Sequence, residues 1–253
     1  MKIVRIQTDD IFYGVVEEDG IGVYEGSPFV AWEPTDVVIP FSRAQLLAPV
    51  LPTKIVAVAR NYAAHAAELG KDVPPRPRIF MKPATTVIGP GASVVYPEDT
   101  GELHHEAELA VIMGRVARHV AAEDASDYIL GYTAANDMTA RDIQRLDGLY
   151  TIAKGFDTFC PLGPAIETEL DPREGLSVVC RVNGDVRQDG STADMLFGVD
   201  ELVAFITRVM TMLPGDIILT GTPAGVGSVE PGDRMEVEVD GVGTLINKVV
   251  TRE

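Results

Sequence analysis

The sequence predicts an α+β fold rich in strands. Two observations carry that reading. Most patterned segments are short apolar or alternating runs separated by turns built on Gly, Pro, Asn and Asp. Few segments are helical and long enough to cover both faces of a parallel sheet, which weighs against a doubly wound architecture.

The elements follow in order. Ile3–Ile6, Phe12–Val16 and Ile21–Tyr24 read as strands, the last entered through the Asp19-Gly20 turn. Pro52 then precedes the apolar strand Lys54–Ala59, so the chain divides near residue 51 into a small β-rich domain (1–51) and a larger one (52–253). A short helix is expected over Tyr62–Leu69, stopped by Gly70. Tyr128–Ala135 is an apolar strand that ends on Asn136-Asp137, and a second helix is expected over Thr139–Leu146. Asn183-Gly184 between Ser177–Val182 and Asp185–Gln188 is a strong two-residue hairpin signal. The strongest helix signal spans Asp200–Leu213, with Asp200 as cap and Leu202, Phe205, Ile206, Val209 and Leu213 as its apolar stripe. Pro214-Gly215 ends it, and Asp216–Leu219 resumes extended structure. Pro231-Gly232-Asp233 and Asp240-Gly241 bracket a strand at Met235–Val239.

Composition narrows the function classes. The chain has 253 residues, 46% of them hydrophobic, enough for a sizeable core. Acidic residues number 38 against 21 basic, giving a net charge of -17. Such a chain is repelled by nucleic-acid backbones and anionic membranes, and no Lys/Arg block offsets this. The N-terminus reaches Asp9-Asp10 before a signal-peptide apolar region can form, and no apolar run is long enough to span a bilayer. A cytoplasmic protein with no nucleic-acid or membrane partner is expected. Cys160 and Cys180 are too few for a disulfide scaffold and read as reduced core residues.

The chemistry concentrates in His104–Met113, HHEAELAVIM. In a strand, His104, Glu106 and Glu108 share one face. Two adjacent carboxylates at the mouth of an otherwise apolar strand repel each other and lose solvation. A divalent cation is the simplest compensation, and oxygen-only ligands favour Mg²⁺ or Mn²⁺ over zinc. The competing reading is a solvent-facing strand end with two ordinary glutamates. Asp137 offers a third ligand, or else an N-cap for the helix behind it. On that helix Arg141 and Gln144 share a face, and His65 and Glu68 do so on the earlier one. Lys154 alone reads as a loop lysine, while Arg60 and Lys82 fit either a site or a strand end. Gly221–Gly227 is glycine-rich but lacks the Lys-Ser/Thr of a phosphate loop. Its amides make either an anion nest or a tight turn. Ser177 and Ser191 lack the context of a hydrolase nucleophile.

Seven segments in this order resemble the fumarylacetoacetate hydrolase family: KIVAVARNYAAHAAELG, PRIFMKPATTVIGPG, LHHEAELAVIMG, ANDMTARDIQ, AKGFDTFCPLGP, RVNGDVRQ and GDIILTGTPAGVG. The likeness runs from about residue 54 to the C-terminus and is to the family's short members. It implies a mixed β-sandwich roll, usually dimeric, in which Glu106, Glu108 and Asp137 hold Mg²⁺ or Mn²⁺. It implies that Lys154 stabilises developing negative charge and that His65 and Glu68 form a water-activating dyad on a mobile lid. Arg141, Gln144 and Thr222 would contact substrate, and Arg60 and Lys82 are candidates to join them. The implied activity is on a small anionic 2-oxo acid, through an enolate held by the cation. The expected outcomes are C–C hydrolysis of an acylpyruvate or decarboxylation of oxaloacetate. Isomerisation of a 2-hydroxyhepta-2,4-diene-1,7-dioate is the alternative, and a non-catalytic binding protein of the same fold is a third reading. An anionic substrate also requires local positive charge in a chain of net charge -17.

Overall fold

The computed structural model describes residues 1–252. A twelve-stranded sheet crosses the whole chain. Its main path runs Ala31–Ile39, Ile21–Ser27, Ile11–Val16, Lys2–Gln7, Cys160–Glu167, Ile129–Asn136, Ala107–Met113, Ile217–Leu219, Ile55–Ala59 and Arg78–Lys82. A five-stranded sheet packs on one face, in the order Asp185–Ser191, Ser177–Val182, Arg234–Val239, Gly243–Thr251 and Ser93–Tyr96. The result is the strand-rich α+β fold that the turn-punctuated pattern predicts.

The pleat explains how the central strand serves two cores. Every residue of Ala107–Met113 is buried. Leu109, Val111 and Met113 pack with Val178, Cys180, Val237 and Leu245 between the sheets. Ala110 and Ile112 point to the opposite face, against Ile55, Leu162, Ile166 and Ile217. A strand buried on both faces has nowhere to solvate a polar side chain, so its glutamate, Glu108, and the buried Glu106 just before it must find partners inside the protein.

The N-terminal strands continue the main sheet. Lys2–Gln7 lies antiparallel to Cys160–Glu167 with Ile3 opposite Ile166, and the Met1 ammonium binds Glu167 at 2.7 Å. The pattern did not predict the edge strand Ala31–Ile39. It is mostly exposed, contains Pro34 and buries no face, so it carries no alternation. Trp32 anchors it against Tyr24, ring centroids 4.2 Å apart.

Among the described residues three α-helices form: α1 (Ala63–Glu68), α2 (Arg141–Asp147) and α3 (Val199–Val209). The expected extent of α3 needs correction at both ends. Gly198 is its N-cap residue, and Asp200 lies in the first turn. The helix stops at Val209 because Met212 and Ala117 exchange backbone hydrogen bonds of 3.0 and 2.9 Å, a tertiary pairing that replaces another helical turn. Its buried stripe is Val199, Leu202, Val203 and Ile206, while Val209 and Leu213 are exposed. Asp137 is not a helix cap either. Thr139-Ala140 pairs with Leu103–His105, and α2 begins only at Arg141. At the hairpin, Asn183 (φ 53°) and Gly184 (φ 90°) both take the left-handed conformation that the two-residue turn requires.

Candidate active site

The site begins with a break in the central strand. The ladder stops between His105 and Ala107, leaving Glu106 as a hinge. Its amide turns to the side chain of Asn136 (2.9 Å), and its carbonyl accepts from the amide of Asp137 (2.8 Å). The backbone itself thus places Asp137 beside Glu106. Glu108 follows on the adjoining strand. One oxygen from each of Glu106, Glu108 and Asp137 lies within 4.8 Å of the others. Glu106 is 4% exposed and Glu108 2%, so the reading of two solvent-facing glutamates is overturned.

Three cations surround these three anions, but they are not shared evenly. Arg141 and Lys154 both bind Glu106, the lysine at 2.8 Å. Lys154 also binds Asp137, whose other oxygen is held by Lys82 at 2.5 Å. Burial pushes the Glu106 carboxyl up, but Lys154 and Arg141 outweigh burial and hold it well below the usual carboxylate range. Burial likewise works against the Lys154 ammonium, and Asp137 and Glu106 more than offset it.

Glu108 differs from both. Among the described residues its only hydrogen-bond donor is the Gly221 amide, 2.8 Å from Oε2. Burial, and next the charge of Asp137, raise its carboxyl well above the ordinary range. A buried carboxylate with two anionic neighbours and no cation of its own is where a divalent ion would gain most. The donor set is three carboxylates with no sulfur or imidazole, which suits a hard ion such as Mg²⁺ or Mn²⁺. The residues present therefore fit such an ion.

A cavity of about 650 Å³ opens onto this cluster. Its lining includes Glu106, Glu108 and Asp137 together with most of the expected site residues: Arg60, His65, Glu68, Arg141, Gln144, Lys154 and Thr222. On α1, Nδ1 of the buried His65 lies 3.0 Å from Glu68 Oε2, which leaves Nε2 as the free ring nitrogen. Arg141 Nη1 donates to Gln144 Oε1 at 2.5 Å, as their spacing of three residues predicts. Thr222 Oγ1 donates to the Ala107 carbonyl and accepts from Gln188 Nε2, at 2.8 and 2.7 Å.

Two expectations are corrected here. Lys82 is not on the cavity wall: its fully buried ammonium sits behind Asp137. The amides of Gly221 and Gly225 do form acceptor-binding turns, but they serve the chain's own Glu108 and Glu68, at 2.8 and 3.0 Å. Both glycines have positive φ, and a Cβ on Gly225 would lie 2.0 Å from the Arg187 carbonyl oxygen.

Sequence reasoning missed Gln188, which is fully buried. Its Oε1 lies 3.0 Å from His105 Nδ1 and 2.9 Å from the Ala107 amide, and its Nε2 also donates to the Pro223 carbonyl. It thereby ties the five-stranded sheet to the carboxylate strand and to the Thr222 loop. The only signal was its place at the end of the RVNGDVRQ segment.

Fold and site together define a strand-rich protein that gathers buried carboxylates and cations at the floor of one cavity, with an imidazole–carboxylate pair on a short helix above. The chain belongs to the fumarylacetoacetate hydrolase family: residues 54–250 match the model described as fumarylacetoacetate (FAA) hydrolase C-terminal. Residues 1–49 match a second model, Rv2993c-like, N-terminal. Human mitochondrial oxaloacetate tautomerase FAHD2A is 43% identical over 226 residues, covering 84% of this chain and 72% of that protein. The crystal structure of 2-hydroxyhepta-2,4-diene-1,7-dioate isomerase from Mycobacterium marinum superposes with a TM-score of 0.92 at 41% identity, covering 100% of this chain and 99% of that one. Maleylpyruvate hydrolase from Sphingobium sp. SYK-6, solved in complex with manganese(II) and pyruvate, superposes at 0.83 with 33% identity, covering both chains fully. Among the described residues no helix is long and apolar enough to cross a membrane.

Proposed function

We propose that this chain is a divalent-cation-dependent enzyme acting on a small 2-oxo acid, and that its reactions share an enolate, reached by removing a proton from C3 or by breaking a bond to C3. One observation carries the proposal. The cation-poor carboxylate Glu108 lies with Glu106 and Asp137 in the cavity that also holds Lys154 and the His65–Glu68 pair. Glu106, Glu108 and Asp137 would hold the ion, which when bound supplies Lewis acidity toward the oxygens of the 2-oxo acid. Lys154 adds fixed positive charge on the same floor, where negative charge develops. Glu68 holds the Nδ1 side of His65, so Nε2 is the nitrogen that takes a proton, from C3 of the acid or from water. Phe80 and Tyr150, stacked with centroids 4.5 Å apart, give the cavity an apolar wall that lowers the local dielectric.

Returning the proton to oxygen or to another carbon gives tautomerase or isomerase chemistry. The names of the human and Mycobacterium marinum proteins support this outcome. Delivering water to a distal carbonyl gives C–C hydrolysis of an acylpyruvate, which the Sphingobium protein's name supports as the second reading. Decarboxylation of oxaloacetate needs no water attack: the C3–carboxylate bond breaks to release CO₂, and the enolate left behind takes a proton at C3 to give pyruvate. The test is a parallel assay of oxaloacetate, acetylpyruvate, fumarylpyruvate and a hydroxyheptadienedioate with Mg²⁺ or Mn²⁺. Glu106→Ala is expected to abolish metal-dependent turnover on whichever substrates the native chain accepts. Full activity in metal-stripped Glu106→Ala protein would sink the assignment.

A further inference from the structure

Gln188 is the one buried residue of the strand Asp185–Ser191, at the edge of the five-stranded sheet. An edge strand that turns a glutamine inward and leaves Val186 exposed runs against burial by hydrophobicity. The register shows how the side chain is turned. Cys180 pairs with Gln188 and Arg181 with Val186, so Arg187 is an extra residue in the strand. A bulge of this kind bends the strand and re-aims the side chain beside it. Two close approaches then press the strand onto the loop after Ile217–Leu219. A Cβ on Gly225 would meet the Arg187 carbonyl oxygen at 2.0 Å, and one on Gly190 would meet Pro223 Cβ at 2.5 Å.

The Gln188 amide is saturated, and its partners fix which way it faces. The Ala107 amide can only donate and the Pro223 carbonyl can only accept, so Oε1 faces the first at 2.9 Å and Nε2 the second at 2.8 Å. His105 Nδ1, 3.0 Å from Oε1, must then carry its proton. Thr222 Oγ1 accepts from Nε2 at 2.7 Å, so its own hydrogen goes to the Ala107 carbonyl at 2.8 Å. A closed ring results, from the Ala107 amide to Gln188, from Gln188 to Thr222, and from Thr222 back to the Ala107 carbonyl. The ring stands where a strand is missing. Ile217–Leu219 pairs with the central strand only over Ala110–Ile112, and the Thr220 amide reaches one residue further, to the Leu109 carbonyl.

Ala107 lies between Glu106 and Glu108, so the ring fixes both peptide groups from which these two carboxylates diverge. Oε1 also holds His105, and thereby grips the chain on both sides of the ladder break at Glu106. Nε2 holds Thr222 and Pro223, and the neighbouring Gly221 amide is the donor to Glu108 Oε2. Gln188 itself bonds neither carboxylate and does not line the cavity.

We propose that Gln188 is a positioning residue of the cation site: it sets the separation and aim of Glu106 and Glu108, and with them the affinity and ligand geometry of the bound divalent ion. The inference rests on the reading of Glu106, Glu108 and Asp137 as cation ligands. Ligands held in place before the ion arrives lose less conformational freedom on binding it, and partners one bond behind metal ligands commonly govern affinity by about 10–100-fold.

The test reads the ion and not turnover. Gln188→Met nearly keeps the side chain's length and volume and removes all four hydrogen bonds. Asn247→Leu is the matched control. Asn247 is buried, donates to the Gly89 and Ala92 carbonyls at 2.9 and 2.8 Å, and does not line the cavity. Both substitutions should lower the melting temperature of the cation-free chain, which is all that a merely structural amide would do. Mn²⁺ is titrated calorimetrically into each protein, and the electron paramagnetic resonance spectrum of the bound ion is recorded. In Gln188→Met the affinity should fall at least about tenfold and the spectrum should depart from the native one as the ligand geometry distorts. Asn247→Leu should keep the native spectrum and an affinity within about twofold of native. Native affinity and spectrum in Gln188→Met overturn the positioning role, and so does an equal loss in Asn247→Leu. Where Gln188→Met does not fold, Gln188→Asn replaces it: its amide, one methylene shorter, cannot reach both Ala107 and Pro223, and the same two readouts decide. A native chain that binds no Mn²⁺ overturns the cation reading itself, and the positioning role with it.

Discussion

At the scale of single residues, the metal question turns on Glu108. Its folded-state pKa lies above its unfolded value, through burial first and the charge of Asp137 second. A carboxyl of this kind stabilises the fold below its unfolded pKa, and that contribution is lost as pH rises through the folded value. The cation-free chain should therefore lose stability toward alkaline pH. Cation binding requires the ionised form, so it should release a proton and tighten as pH rises. Glu108→Gln keeps an acceptor for the Gly221 amide and removes the uncompensated charge. In cation-free buffer at pH 8 its melting temperature should rise by at least about 3 °C, the shift expected for roughly 1 kcal/mol in a domain of this size. Mn²⁺ should raise the melting temperature of the native chain and leave that of the variant unchanged. A native-sized Mn²⁺ shift in Glu108→Gln would remove Glu108 from the ligand set. The three carboxylates were legible as candidates in the sequence, because alternation along one strand and the end of another mark them. Gln188 was not, and Lys82 was legible as a candidate for the cavity but not as the buried partner of Asp137, 55 residues away, because nothing local announces such contacts.

At the scale of elements, α1 is the part whose stability is borrowed. Six residues make too short a helix to persist alone. Glu68 spends one oxygen on His65 and the other on the Gly225 amide, so it orients the imidazole and fastens α1 to the loop after Ile217–Leu219. Substitution separates these duties. His65→Ala should abolish solvent-deuterium exchange at C3 of a bound 2-oxo acid if Nε2 serves carbon. It should spare exchange and abolish acylpyruvate hydrolysis if Nε2 serves water. Glu68→Ala should in addition accelerate amide hydrogen exchange across residues 63–70, which His65→Ala should not; unchanged exchange in Glu68→Ala would show that the Gly225 contact holds nothing in place. How far elements could be read in advance follows the same division. The hairpin at Asn183-Gly184 and the strand at Met235–Val239 are set by local turn chemistry and were readable. The last turn of the expected α3 was lost to the Met212–Ala117 pairing. The edge strand Ala31–Ile39 owes its form to its neighbour and to Trp32, and neither leaves a period in the sequence.

At the scale of the whole molecule, a net charge of -17 opposes capture of anions, while the cavity wall carries six cations against four acidic groups. The two fields differ in range. Charges spread over the whole surface act on a distant ligand, whereas the cavity's cations act within a few ångströms of a ligand already inside. Raising ionic strength from about 20 to about 150 mM shortens the Debye length from roughly 20 Å to about 8 Å. That removes most of the distant repulsion and leaves contacts inside the cavity much less affected, because partly buried pairs are screened weakly. For a dianionic 2-oxo acid, kcat/KM should therefore hold steady or rise by up to about twofold over this range, the reverse of an enzyme whose field steers its substrate inward. A monoanion, carrying half the charge, should respond less. A fall of more than about threefold for the dianion would mean that attraction from the cavity's cations extends past the cavity mouth and dominates the approach.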